Sequence, residues 1–420
     1  MALDLTTVTQ ALKEHYKDLT VQDLVYKDNP LLALMPKYER FGGQNMPIPL
    51  IFGNPQRRSA GFRAGQDQTS TSELARFVLT RVKDYAFASI TGETIKATES
   101  DVDAFLRYAT MEIDGAMHAL TRSIAVSMYR DGTGSIANVG SVAGSGANTV
   151  VTLEKTDDIT NFEVGMAINI YQQQTNTSTD SRFRKPDPLN VRDGGGTGNI
   201  DKAFTVGAVD RSNGTITLNT NTGISANDAI VPAGDLNAKM SGLEAWVPRV
   251  LDTNNKTLFS QDRSTDVSRL GGQRFDGSSQ PIEEALIGGA SLVSREGGNP
   301  NYCFMDFASF SNLEKALGSK VVYGEARARD VDIGFASIQI RGPKGTIQVV
   351  PDQNVQPDVA WMLQLDTWTL NTLGKAPQFL DYDGNEMLRE ATSDAYEVRL
   401  GYYGNVACNA PGYNCRIALA

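Results

Sequence analysis

Histidine and cysteine are scarce in this sequence of 420 residues. The two histidines, His15 and His118, lie in separate predicted helices, and a histidine-based metal centre or catalytic triad would need more of them. The three cysteines, Cys303, Cys408 and Cys415, include no Cys-x-x-Cys pair, and their odd number argues against a disulfide framework. We therefore expect three small buried thiols in a reducing compartment and no metal site.

Long apolar runs and an excess of positive charge are also missing. No apolar run approaches the 18 residues of a membrane helix, and the N-terminus lacks the basic start and apolar stretch of a secretion signal. The net charge of −10 argues against tight binding to nucleic-acid phosphates. The glycine run at 194–196 is not followed by the lysine of a phosphate-binding loop, so no nucleotide or other cofactor is expected.

The first hundred residues predict an arm followed by a hairpin. Apolar spacing predicts an amphipathic helix over 6–20, and the Gly- and Pro-rich segment 41–55 is typical of an extended arm that lies on a neighbouring molecule. Alternating hydrophobicity over 61–98 predicts a long β-hairpin with a polar tip near 63–73 and a turn candidate at 83–84. Because a long polar hairpin folds poorly alone, we expect it to need a partner surface.

Segment 100–130 carries the strongest local signal. Ser100 is a candidate N-cap, apolar residues then recur at helical spacing, and Gly132 is a stop signal. A helix of this length would extend about 45 Å, far beyond an average helix. Since no comparable helix lies nearby to form a bundle with it, we interpret it as a spine beside β structure.

The rest of the chain divides into a β-rich island and an α+β region. Segment 136–240 is rich in Thr, Asn and Gly, with short strand-like runs and a polar loop at 172–198, which predicts an inserted β-barrel or sandwich. Beyond it, predicted helices interrupt a mixed sheet, and the chain closes on predicted strands around 395–403 and 414–418.

In this order the segments resemble the major capsid proteins of tailed phages, which share the Hong Kong 97 fold. The block GLEAWVP (Gly242–Pro248) is similar to the point where such proteins leave an inserted domain, and Asp394–Pro411 is similar to their C-terminal peripheral strands. The resemblance implies an α+β fold with seven parts: an N-terminal arm (1–60), an extended hairpin loop (61–98), a spine helix with the start of a peripheral domain (99–135), an inserted β-rich domain (136–240), more peripheral domain (241–284), an axial domain (285–385) and C-terminal peripheral strands (386–420).

The resemblance also implies a function. Such subunits assemble in the host cytoplasm as hexamers and pentamers that tile an icosahedral shell around double-stranded DNA, without sequence-specific binding and without a membrane. It implies partners as well: a scaffolding protein, a portal and in some cases a decoration protein. Axial loops near 326–333 would point at the capsomer centre. The candidate inter-subunit contacts are Arg63, Phe77, Lys83, Tyr85, Phe87, Arg327 and Arg329.

Three alternatives remain open at this point. An encapsulin-like nanocompartment shell would keep the fold and change the cargo. A phage tail or fibre protein would need repeats or β-helix texture, which the sequence lacks. An enzyme could use Asp381, Asp383 and Glu386 as paired carboxylates or cation ligands, although a solvated turn explains them as well. Lys83 is also a possible donor for the isopeptide crosslink that one variant of the resembled family forms.

Overall fold

The computed structural model describes residues 25–419 apart from 69, 98–101, 145–148, 174–185, 192–203, 220–222, 253–254, 319–322, 328–333, 382–386 and 391. Helices and strands are mixed along the chain, as predicted for an α+β protein. The predicted helix over 6–20, the N-cap Ser100 and Arg329 lie outside the described residues.

One six-stranded sheet is built around a single long strand near the C-terminus. That strand pairs with β4 along one side and with three shorter strands along the other, while β1 adds to β20 in parallel. The strands are β1 (Lys37–Tyr38), β4 (Val82–Thr91), β20 (Trp368–Thr372), β21 (Gln378–Phe379), β22 (Met387–Arg389) and β23 (Ala395–Cys408).

The longest helix packs across this sheet. Helix α4 (Val102–Tyr129), the spine helix of the sequence analysis, has 28 residues and therefore extends about 42 Å, which confirms the predicted long helix. Its buried residues recur every three or four positions and face β4 and β23, so one stripe of the helix supplies the packing surface. The stripe comprises Ala109, Ile113, Met117, Leu120, Ile124 and Met128.

A hairpin of β2 (Asn45–Gly53) and β3 (Glu73–Thr80) lies beside the sheet. The sequence predicted a hairpin over 61–98, but β4 follows β3 with only Arg81 between them and pairs with β23 instead. The partner of β3 is the Pro-rich segment that was interpreted as an arm. Pro47 and Pro49 face Val78 and Arg76, whose N–H groups point away from β2 towards Phe259 and Gln261, so neither proline interrupts a ladder hydrogen bond.

Segment 137–232 forms a closed barrel, as the sequence predicts for this β-rich segment. Its strands are β5 (Ala137–Ala143), β6 (Thr149–Leu153), β7 (Ala167–Gln173), β8 (Pro186–Val191), β9 (Phe204–Asp210), β10 (Thr215–Leu218) and β11 (Ala229–Pro232). Pairing of β11 with both β5 and β7 closes the ring, and β8 adds to β7. The two ends of the insertion meet where the Asn237 N–H donates to the Thr133 carbonyl (2.9 Å), as expected for an inserted domain.

A seven-stranded mixed sheet completes the chain, in the order β14, β24, β19, β15, β18, β17, β16. Its strands are β14 (Gln273–Asp276), β15 (Tyr302–Met305), β16 (Tyr323–Arg327), β17 (Gly334–Arg341), β18 (Thr346–Pro351), β19 (Val359–Leu363) and β24 (Cys415–Ala418). Helices α7 (Ile282–Arg295) and α8 (Phe307–Leu317) cover this sheet and share its apolar core. The final strand was grouped with the C-terminal peripheral strands, but β24 lies inside this sheet, between β14 and β19.

The remaining elements are short connectors. They are α1 (Pro30–Leu34), α2 (Phe62–Asp67), α3 (Gly92–Ala97), α5 (Leu243–Trp246), α6 (Val267–Gly271), the two-residue strands β12 (Thr257–Leu258) and β13 (Gln261–Asp262), and 3-10 turns at Thr156–Asn161, Leu365–Thr367 and Pro411–Tyr413.

The main core lies where hairpin, spine and both sheets meet. Trp246 on α5 is fully buried there, and its indole N–H donates to the Val406 carbonyl on β23 (3.1 Å). Its ring contacts Phe77 of the hairpin, Phe259 and Trp368, with centroids 4.9, 5.5 and 6.4 Å away. One aromatic cluster therefore fixes the hairpin base to the body of the chain.

Candidate inter-subunit surfaces

The hairpin has one face packed and one face open. Its inner side chains, including Ile48, Phe77 and Leu79, belong to the main core. On the outer face, Ile51 and Leu74 form a cross-strand pair with 64% and 68% of their surfaces exposed. An exposed apolar pair on a projecting hairpin is typical of a surface that another protein covers. We call Ile51, Leu74 and Phe62 the hairpin patch.

The connection between β2 and β3 extends this surface. Nearly every described residue from 54 to 72 is exposed, and Phe62 at the start of α2 is 81% exposed. The loop is held by local bonds, in which Arg57 Nε donates to the Ser70 carbonyl (3.1 Å) and the Gln56 N–H donates to the Ser70 hydroxyl (2.9 Å). Arg63 lies on α2, exposed beside Phe62. The sequence predicted Arg63 and missed all three members of the hairpin patch.

A second open surface covers the side of the six-stranded sheet opposite α4. Lys83, Tyr85 and Phe87 alternate along β4 and are all exposed, whereas Ala88 and Ile90 turn inward to the spine. Tyr85 meets Tyr403 of β23 edge to face, with centroids 6.0 Å apart. We call Lys83, Tyr85, Phe87 and Tyr403 the sheet patch. The structure thus brings three of the predicted residues together, and the period-two pattern of β4 was the signal for them.

Of the three remaining predicted contacts, one is wrong, one lies at a sheet edge and one lies outside the described residues. Phe77 has no exposed surface and packs under Trp246, so its ring is part of the chain's own core and the assignment as an inter-subunit contact is wrong. Arg327 is the last residue of β16, at the far edge of the seven-stranded sheet. Arg329, like most of the loop 326–333, lies outside the described residues.

A cavity of about 510 Å³, with several charged residues in its lining, lies between the barrel, the C-terminal end of α4 and the seven-stranded sheet. Two ion pairs cross it. Arg130 after the spine binds Asp158 of the barrel at 2.9 Å, and Lys155 of the barrel binds Asp358 beside β19. Glu244 of α5 lines the same cavity and accepts a hydrogen bond from Gln356 Nε2 (2.9 Å). The cavity is therefore a charged junction of three structural units.

The enzyme alternative concerns histidine, cysteine and carboxylate side chains, some of which lie in the described part of the chain. Within it, no group of three or more His, Cys, Asp and Glu side chains is placed to hold a metal ion. Of the three carboxylates considered as an enzyme site, Asp383 and Glu386 lie outside the described residues. His118 is exposed on the spine, whereas His15 also falls outside. No described helix is both long and apolar enough to span a bilayer.

Comparison with known proteins finds one family model that matches part of the chain. The family model described as the SU10 major capsid protein matches residues 216–388, which run from β10 of the barrel to β22. This match confirms the prediction of a tailed-phage major capsid protein, and the proteins of the matched family are structural capsid proteins. The comparison does not favour the encapsulin-like or tail-protein alternatives. No curated protein matches the chain.

Solved phage structures are similar at low identity. One titled "Mycobacterium phage Bobi" is 11% identical, with 100% of this chain and 99% of that chain covered and a TM-score of 0.42. The "Cyanophage A-1(L) capsid asymmetric unit" is 9% identical, with 93% and 92% covered and a TM-score of 0.48. The "Capsid of native GTA particle computed with C5 symmetry" is 6% identical, with 92% and 88% covered and a TM-score of 0.43.

Proposed function

We propose that this chain, a phage capsid shell protein, self-assembles as hexamers and pentamers into an icosahedral head that encloses double-stranded DNA. The observation that carries the proposal, beside the family match, is the hairpin patch. Ile51, Leu74 and Phe62 expose apolar surface on a projecting element whose other face is already buried. In an isolated monomer this apolar surface would stay exposed to water, whereas in a shell it would be buried against the neighbouring subunit.

The proposed roles of the helices and sheets are those of the Hong Kong 97 fold. In this proposal α4 is the spine, the six-stranded sheet is the peripheral domain and the seven-stranded sheet with α7 and α8 is the axial domain. The axial loops, including 326–333, would surround the capsomer centre, with Arg327 and Arg329 among the contacts. The packing of α4 supports this proposal, because the apolar stripe of the helix is fixed along β4 and β23 and the helix can therefore act as a rigid lever.

The two patches would form the lateral contacts of each subunit. The hairpin patch supplies apolar area, and Arg63 beside it adds a positive charge. The sheet patch supplies two tyrosines and Phe87, aromatic residue types that are enriched at protein interfaces, together with the Lys83 ammonium group. A cyclic capsomer needs such different surfaces on one subunit, because head-to-tail contacts close rings.

The charge of the chain suits a container for DNA. A net charge of −10 supplies few counterions for phosphates, so packaged DNA would be held by the closed wall rather than by tight binding. Assembly would take place in the host cytoplasm with a separate scaffolding protein, a portal and, in some particles, a decoration protein. Such a decoration protein would bind to the exposed outer surface of the barrel.

The decisive experiment is electron microscopy of the purified full chain, alone and with a candidate scaffold, after size-exclusion chromatography. We expect closed shells, or rings of five and six. The double variant Ile51→Ser/Leu74→Ser removes the apolar pair without touching the core, so it should keep its melting temperature but stay unassembled. Val164→Ser, on an exposed barrel position outside both patches, is the matched control and should assemble.

Two results would contradict the proposal. A wild-type chain that stays monomeric at every concentration, with and without scaffold, would remove the shell function. Normal shells from the double variant would leave that function intact and exclude the hairpin patch as a required contact.

A further inference from the structure

The two strands of the hairpin differ in what lies along their outer edges. The outer edge of β3 is covered by the chain itself. The Val78 N–H donates to the Phe259 carbonyl (2.9 Å), and the Arg76 N–H donates to the side-chain oxygen of Gln261 (3.2 Å). Among the strands that the structure describes, β2 pairs with β3 alone. The outer edge of β2 is therefore an open strand edge.

An open edge of this length is a hazard for the chain. Strand β2 has nine residues, and unpaired backbone groups along an edge are a template on which a strand of another molecule can pair. The hairpin also carries the exposed apolar pair Ile51 and Leu74. Two copies of the chain could then join edge to edge, with the apolar side chains of both in contact.

The register determines which backbone groups of β2 point to the open edge. In an antiparallel pair, two directly opposite residues point their N–H and C=O groups either towards each other or both away. The N–H groups of Val78 and Arg76 point away from β2. The residues opposite them, Pro47 and Pro49, therefore point away from β3, to the open edge.

Proline at these two positions removes the donors that an added strand would need. A proline residue has no N–H, and its ring occupies the place of that hydrogen. Between Asn45 and Ile51, the next outward positions on either side, the backbone thus offers carbonyl acceptors to the open edge and no donor. Both prolines are exposed, so burial in a core does not account for them.

We propose that Pro47 and Pro49 close the edge of β2 to strand addition, so that a second copy of the chain contacts the hairpin through side chains and not through a shared sheet. The hairpins of two separate chains then do not join, and the hairpin patch of each stays available. The proposal concerns the edge of β2 alone and does not depend on shell assembly.

The test restores the missing donors in the full-length chain. Pro47→Thr/Pro49→Thr places two residues with an N–H and a high strand propensity on the open edge. We expect the double variant to associate, with a gain of thioflavin T fluorescence at a concentration where the wild type has none. In the associated material the new N–H groups at positions 47 and 49 should be protected from hydrogen exchange. In the dilute monomer they should exchange freely.

Pro55→Thr is the matched control, because Pro55 is exposed and follows β2 outside the strand. It should give no thioflavin T signal. A double variant that does not associate, or a control that associates equally, would overturn the proposal. Protection of the two new N–H groups in the monomer would do so as well, because the edge would then be covered already. A strand of a second copy on β2 in electron microscopy of wild-type particles would overturn it without any variant.

Discussion

The hydroxyl group of Tyr129, the last residue of the spine, donates a hydrogen bond of 2.8 Å to the carboxylate of Asp352. Both residues are buried, and the carboxylate also accepts from the backbone and side-chain nitrogens of Asn354 (both 2.9 Å) and from the Leu31 N–H (3.5 Å). The same carboxylate thus binds the spine, the end of β18 and the first described helix. This explains how the N-terminal segment is held to the body of the chain.

Tyr129→Phe should lower the free energy of unfolding by about 1–3 kcal/mol, because it removes a donor from a buried carboxylate and leaves that group less satisfied. Urea unfolding of the unassembled chain is the measurement. Tyr85→Phe is the matched control, since its hydroxyl group lies on the open sheet patch, and its effect should stay within about 0.5 kcal/mol. Equal losses in the two variants would mean that the Tyr129–Asp352 bond is not a significant anchor.

The spine and the segment after the barrel approach too closely for a side chain at Gly242. A Cβ atom placed there would lie 2.1 Å from the Met128 carbonyl oxygen, and the Gly242 N–H donates to the Arg130 carbonyl at 2.9 Å. Gly242→Ala should therefore destabilise the chain by about 1–3 kcal/mol, as overpacking does. A lower melting temperature measured by circular dichroism would show this.

Gly115→Ala should have the opposite effect on stability from Gly242→Ala. Gly115 lies inside the spine, and apart from its own helix backbone and chain neighbours no described heavy atom lies within 4 Å of an added Cβ. Alanine at this position should raise stability by about 0.5–1 kcal/mol, because glycine is the poorer helix former. If Gly242→Ala were as well tolerated as Gly115→Ala, the close contact of spine and α5 would not hold in solution.

The spine and the barrel could be predicted from sequence because each has a local signal. The residues from Ala109 to Met128 repeat at helical spacing over about five turns, and no alternative element has that period. In the barrel, short apolar runs separated by turns such as Asn213-Gly214 gave the strands. The sequence predicted neither the closure of the barrel through β11 nor which strands pair with each other, because pairing partners carry no local signal.

Two wrong predictions concern strand pairing and sheet membership, which local sequence patterns do not determine. The Pro-rich partner of β3 was interpreted as an arm, because proline usually excludes a strand, and only the register shows Pro47 and Pro49 at positions without a ladder bond. Likewise β24 follows β23 closely in sequence but belongs to another sheet. Sheet membership depends on contacts between distant residues, such as Cys415 beside Gln273, which a single sequence does not contain.

The cysteines provide a test of the packed cores. Burial raises the pKa of the Cys408 and Cys415 thiols to about 12 and raises that of Cys303 further, so thiolate is scarce at neutral pH in the folded chain. We expect no reaction with a disulfide reagent at pH 8 until denaturant is added, and then three thiols per chain. Fast labelling of the native chain would show that at least one of these cores opens readily.

Phe77 and Phe87 lie ten residues apart on consecutive strands, but truncating them should affect different properties: stability for Phe77 and shell formation for Phe87. Phe77→Ala removes a fully buried ring from beside Trp246, so the free energy of unfolding should fall by about 3–5 kcal/mol. Phe87→Ala removes a ring that is 59% exposed on the sheet patch, so stability should change by less than about 0.5 kcal/mol while shell formation declines. Urea unfolding and electron microscopy of the same preparations separate the two effects. Normal shells from Phe87→Ala would exclude this ring as a required subunit contact, whereas a large loss of stability would place it in the core.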